Sequence, residues 1–99
     1  MKNKLDLRMI RKASEVLKCL SHPERLRIVE HLERGHASVS ELMTALKLPQ
    51  VKVSKQLAVL KKGGIVESRI ERHFRYYTIV YPNVLNILNC IRSHGGKSK

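Results

Sequence analysis

Residues 38–64 read SVSELMTALKLPQVKVSKQLAVLKKGG, and two short helices can be read from them. Ser38 and Glu41 have the spacing of a capping box: the serine oxygen accepts from a backbone amide three residues on, and the glutamate reaches back. Leu42, Met43 and Leu46 then recur at helical intervals. Lys47-Leu48-Pro49 breaks that pattern, and Pro49 suits the opening of a second helix, where a missing N–H costs nothing. Val53, Leu57 and Leu60 form the second apolar stripe, which runs to Lys61 or Lys62 before Gly63-Gly64 stops it. Two helices joined by a turn of about three residues make a helix-turn-helix.

Working outward, Leu5 to Leu20 is predicted to be a helix carrying Leu5, Met9, Ala13, Val16, Leu17 and Leu20 at helical spacing. Ser21 and Glu24 repeat the capping-box spacing around Pro23, opening a helix to about Arg34 with Leu26, Ile28, Val29 and Leu32 inward and Gly35 as its stop. Downstream, Ile65 to Ile70 and Phe74 to Val80 are rich in β-branched and aromatic residues and read as a hairpin joined by Glu71-Arg72-His73. After the break at Tyr81-Pro82-Asn83, Val84 to about His94 carries Val84, Ile87, Leu88 and Ile91 on one helical face. The order is α-α-α-α-β-β-α, a mainly α fold in which a basic hairpin follows directly on a helix-turn-helix: a winged helix. Residues 1–94 form one domain by this reading, and residues 95–99 (Gly95-Gly96-Lys97-Ser98-Lys99) a disordered tail.

A chain of 99 residues leaves no room for a separate catalytic domain, and a core this small is often completed by a partner subunit. The net charge of +12, from 20 Lys and Arg against 8 Asp and Glu, favours polyanions, with nucleic acid the first candidate. The surplus is uneven. Met1 to Lys18 holds six basic residues against Asp6 and Glu15, and Gln50 to Gly64 holds Lys52, Lys55, Lys61 and Lys62 with no acid. No stretch approaches the ~20 apolar residues of a membrane span, no secretory signal is evident, and two cysteines are too few for a disulfide scaffold. A cytoplasmic protein without a membrane role is expected.

Leu17-Lys18-Cys19-Leu20-Ser21-His22-Pro23-Glu24-Arg25-Leu26-Arg27-Ile28 resembles the opening segment L-x-x-L-S-H-P-x-R-L-x-I of ArsR/SmtB-type winged helix-turn-helix repressors. Ser38 to Leu42, Val53 to Val66 and Arg75-Tyr76-Tyr77 resemble their third helix, recognition helix and return strand, in the same order. The resemblance implies a homodimeric transcriptional repressor on double-stranded operator DNA, its first and last helices pairing across the two-fold axis. It further implies that the helix from Pro49 enters the major groove and that Gln50, Lys52, Ser54, Lys55 and Gln56 face outward to read it; glutamine suits adenine edges and lysine guanine. Lys61 and Lys62, at the far end, suit phosphate or solvent, and the wing offers Arg69, Arg72 and Arg75. Two departures stand out. Pro49 replaces the family's usual small capping residue, and the wing tip lacks glycine.

Many members of the family sense metals. A Cys-Val-Cys at the start of the third helix serves some of them, where this chain has Ser38-Val39-Ser40, whose neutral hydroxyls are poor ligands. Others use Asp and His in the last helix, where this chain offers Asn83, Asn86 and a late His94. Neither metal site nor any cofactor is expected. Cys19 and Cys90 fall on the two helices expected to form the dimer, so a redox switch through them is one reading and two buried apolar residues the other. His22 reads as a structural cap. No nucleophile–base pair, phosphate-binding loop or His-Glu-x-x-His pattern points to an enzyme. A winged-helix module binding protein or RNA is the alternative to a repressor.

Overall fold

A computed structural model describes residues 4–95. The elements are α1 (Leu7–Leu20), α2 (Pro23–Leu32), β1 (Ala37–Ser38), α3 (Val39–Leu46), α4 (Gln50–Lys62), β2 (Val66–Glu71), β3 (Phe74–Ile79) and α5 (Asn83–Gly95). The predicted order therefore holds, with one addition. β1 is a two-residue strand that pairs antiparallel with β3, Ala37 opposite Tyr77 and Ser38 opposite Tyr76, giving a sheet of order β1-β3-β2. Two residues are too short for an alternating pattern to be read, so β1 carried no signal of its own. Gly95 closes α5, and the rest of the expected tail, 96–99, lies outside the described residues.

The core gathers the inner stripe of each element: Val16 and Leu20, Ile28, Val29 and Leu32, Leu42 and Leu46, Val53, Leu57 and Leu60, Ile65 and Val66, then Val84 and Leu88. Ile91, expected on the apolar face of α5 with Val84 and Leu88, is exposed; the other stripes are the predicted ones except in α1. There the N-cap is Asp6, whose carboxylate accepts from the Met9 amide at 2.9 Å, so Leu5 precedes the helix. Leu5, Leu7, Met9, Ile10 and Leu17 are all exposed; only the last turns of α1, through Val16, Cys19 and Leu20, reach the core.

The caps also differ in detail. At α3 the box is as predicted: the Ser38 hydroxyl accepts from the Glu41 amide at 3.1 Å, and Glu41 accepts from the Ser38 amide at 2.9 Å. At α2 it is not. Pro23 is the first helical residue, which makes His22 the N-cap, and its Nδ1 accepts from the Glu24 amide at 3.2 Å. The Ser21 hydroxyl instead donates to the Lys18 carbonyl at 2.8 Å and closes α1. The Glu24 carboxylate is thereby left for α4. At the far end of α2, Arg92 of α5 pairs with Glu33 and also donates to the Asn89 side-chain oxygen, fastening the last helix to the body.

The thiol of Cys19 lies under α4, 3.7 Å from the Val59 carbonyl, to which it donates. A methyl group added at Gly63 would stand 2.8 Å from that sulfur. Gly63 has an ordinary helical φ of −78°, so contact and not backbone freedom excludes a side chain there. Gly63→Ala is expected to cost about 1–3 kcal/mol by overpacking, and Cys19→Ala to recover most of it in the double variant. Chemical denaturation of the four proteins of that cycle checks this; additive losses would show that the two sites are not in contact.

Candidate nucleic-acid interface

The turn between α3 and α4 is Lys47-Leu48-Pro49, with Lys47 left-handed at φ 57° and the Leu48 amide returning to the Met43 carbonyl at 3.2 Å. It fixes α4 across α3. Pro49 supplies no side-chain cap, so the first turn of α4 presents its amides without a hydroxyl partner. Val53, Gln56, Leu57 and Leu60 turn inward. Gln50, Val51, Lys52, Ser54, Lys55 and Ala58 are exposed.

Gln56 is therefore not on the reading face, and the outward placement expected for it is corrected. It is only 5% exposed. Its carbonyl accepts from Arg25 at 2.8 Å and its amide donates to Glu24 at 3.2 Å. Arg25 also donates through Nε to the Cys19 carbonyl at the end of α1. One layer of polar side chains thus joins α1, α2 and α4. Residue type misled here, because a glutamine reads equally as a base-reader and as a bridge. The spacing held the clue: Gln56 lies three residues from Val53 and four from Leu60, inside the apolar stripe.

Lys52 keeps one foot in this layer, its ammonium 3.4 Å from the second Glu24 oxygen. Burial alone would raise the Glu24 carboxyl, but the Lys52 hydrogen bond and charge, the Gln56 amide and the His22 charge together hold it below the ordinary range. A depressed carboxyl contributes its stability in full above the unfolded value of about 4.3, losing it as pH falls through the lower native value. An NMR titration is expected to place the Glu24 midpoint below that value, and Lys52→Ala to move it upward.

The wing turns through Arg72 and His73, with Glu71 still paired to Phe74 in the ladder. Both turn residues are left-handed, at φ 50° and 77°, the conformation of a tight hairpin turn made here without glycine. The three wing arginines have different surroundings. Arg69 pairs with Glu71 at 3.5 Å on one face of the strand. Arg72 stands at the tip. Arg75 lies on the other face, toward α4, where its guanidinium and the ammonium of Lys61 each reach the Ser68 hydroxyl at 3.1 Å. Two cations converging on a neutral oxygen, with no carboxylate within 4 Å among the described residues, suit a phosphate. Two of the aromatic residues brace the hairpin: Tyr77 packs on the core, and Tyr76 meets His36 edge-on at 4.8 Å, whereas Phe74 is exposed.

Cys19 and Cys90 have unlike settings, the first buried and the second exposed. Burial pushes the Cys19 thiol up, and the nearby Arg25 charge offsets only part of that. No group of three His, Cys, Asp or Glu side chains suited to a metal occurs among the described residues, and none of the described helices is long and apolar enough to cross a membrane.

A helix-turn-helix whose second helix offers a polar outer face, followed by a basic hairpin, defines a winged-helix DNA-binding protein. The chain belongs to the arsR family of bacterial regulatory proteins, whose family model matches residues 22–68. It is 38% identical over 81 residues to an uncharacterized HTH-type transcriptional regulator of Methanocaldococcus jannaschii, covering 81% of this chain and 91% of that one. The transcriptional repressor BigR from Xylella fastidiosa superposes with a TM-score of 0.82 at 32% identity, covering 87% of this chain and 88% of that one. The homodimeric winged helix-turn-helix DNA-binding domain from Mycobacterium bovis superposes with a TM-score of 0.80 at 27% identity, over 98% of this chain and 92% of that one. These relatives are transcriptional regulators.

Gln56 and Lys55 are neighbours in sequence with opposite duties. Gln56→Ala is expected to cost about 1–3 kcal/mol, because Arg25 and Glu24 each lose a partner. Lys55→Ala should leave stability within about 0.5 kcal/mol of the parent. Thermal melts of the two variants test this contrast.

Proposed function

We propose that the chain works as a homodimeric repressor in the cytoplasm, occupying a double-stranded operator with α4 in the major groove and the wing on the adjoining backbone. The observation that carries this is the outer face of α4, where Gln50, Ser54 and Lys55 are exposed and continue toward the Lys61–Ser68–Arg75 cluster. Base-reading groups thus stand beside phosphate-holding ones, the division of labour that DNA recognition requires. Arg72 at the tip adds a cation that can reach a groove or backbone phosphate. Arg69, held by Glu71, and Lys52, held by Glu24, contribute less, since each must first give up a carboxylate.

Dimerisation follows from surface that one protomer leaves uncovered. Leu5, Leu7, Met9, Ile10 and Leu17 around α1, with Ile91 on α5, make an apolar surface of the kind that marks an interface. Val16 and Val84, on the same two helices, lie in the protomer's own core, and Ile87 is half-buried. The similarity to a homodimeric domain supports dimerisation as such. Occupying a promoter is enough to repress, so no catalytic group is needed.

For the signal, the exposed Cys90 on α5 offers an accessible thiol, whereas the Cys19 sulfur is committed to the α4 backbone. A thiol response would then run through Cys90 on the dimer helix. Cys90→Ser is expected to abolish any change in DNA affinity on peroxide or polysulfide treatment, with Cys19→Ser leaving it in place; the reverse pattern would move the switch to Cys19.

The function itself is tested by gel shift against DNA upstream of the chain's own operon. Lys55→Ala and Gln50→Ala should each weaken specific binding by about 1–3 kcal/mol, whereas Lys61→Ala and Arg75→Ala should weaken it across all sequences and reduce the salt slope by about 1 each. Analytical ultracentrifugation should show a dimer at micromolar concentration. A monomer there, or DNA binding without sequence preference, would count against the proposal.

A further inference from the structure

Val51 is 77% exposed, more than any other large apolar residue in the described structure. It gives the core nothing, because Val53, Gln56, Leu57 and Leu60 already fill the inner side of α4. Helix propensity does not favour it either, since a β-branched residue is a poorer helix former than alanine or lysine. Its place is nonetheless specific. It lies in the first turn of α4, three and four residues before Ser54 and Lys55, on the same outer face. Its immediate neighbours Gln50 and Lys52 are polar and exposed as well.

A single apolar side chain set among polar ones is not a protein-docking surface, which needs a contiguous patch. It does match one feature of DNA. In the major groove the four base pairs differ by donors and acceptors, and thymine alone adds a methyl group. Amides, ammonium groups and hydroxyls can read the polar edges. None of them gains by covering a methyl group, whereas two valine γ-carbons do. N-terminal residues of the second helix are also those that reach base edges in helix-turn-helix complexes.

We propose that Val51 is a specificity-determining residue that reads the 5-methyl group of a thymine in each half-site of the operator. This rests on the reading of α4 as the recognition helix. Gln50 beside it is of the type that reads adenine, so the pair suits an A·T-containing step.

The test pairs a protein change with a one-atom-group change in the DNA. The preferred sequence is first selected from random duplexes with the wild-type protein, and each thymine is then replaced by uracil, which lacks only the methyl. At one thymine per half-site, uracil should weaken the wild type by about three- to fivefold, the worth of roughly one buried methyl. Val51→Ala should bind the thymine duplex more weakly by a similar factor and be indifferent to uracil at that position. Circular dichroism should show the variant as helical as the parent, because the side chain is in solvent. A preferred sequence at which both proteins respond alike to every uracil, or at which neither responds, would overturn the assignment of Val51 alone. Selection that yields no preferred sequence would overturn the DNA-reading role of α4, and this inference with it.

Discussion

The side chain of Arg25 holds three helices in one arrangement. Its Nε binds the last turn of α1 at Cys19, its terminal nitrogen binds Gln56 of α4, and its own backbone belongs to α2. Glu24, next in sequence, takes the other end of the Gln56 amide and the Lys52 ammonium. Apolar packing alone tolerates small slides, since one aliphatic surface meets another almost equally well in several registers. Directional bonds to a buried amide do not, because a shift that breaks them leaves polar groups without water or partner. The orientation of α4 relative to α1 is fixed by this layer, and so, in a dimer built on α1, is the angle between two recognition helices.

The sequence made most of the architecture legible because its signals were local and mutually consistent. The capping box at Ser38 and Glu41, the apolar stripes of α2 to α4 and the stop at Gly63-Gly64 all describe short-range physics, and the structure repeats them. What the sequence hid depends on long-range contact. Ser21 and Glu24 match the cap pattern as well as Ser38 and Glu41 do, but with Pro23 as the first helical residue the cap is His22, the other residue read as one, and the box does not form. Gln56 carries the chemistry of a base-reader and the position of a core residue, and position decides. β1 exists only because β3 arrives beside it. The apolar residues of α1 obey helical spacing, yet spacing cannot tell a residue that packs within its own chain from one left for another.

Charge shows a similar split between wealth and use. The chain carries twenty Lys and Arg. Several are occupied in structure: Arg25 in the polar layer, Arg27 on the Leu46 carbonyl, Arg92 on Glu33, Arg69 on Glu71. Lys55, Lys61, Arg72 and Arg75, on α4 and the wing, hold neither carboxylate nor carbonyl among the described residues, and the same is true of Arg11, Lys12 and Lys18 on α1 and of Arg34 and Lys47 between helices. Total charge therefore overstates the binding surface, and lack of a partner alone does not locate it; what sets α4 and the wing apart is that Lys61 and Arg75 converge on one hydroxyl.

The hairpin tip turns through two consecutive left-handed residues that both carry side chains. Glycine would enter that conformation freely and leave it as freely, because it samples both halves of φ about equally. Arginine and histidine occupy a much narrower well there. Once the strands have forced them into it, few neighbouring conformations are open, so the arm loses little disorder when it meets a rigid partner. An arm of this kind arrives already aimed, and a ligand whose groove lies a few ångströms off that aim meets resistance from the backbone as well as the loss of a contact.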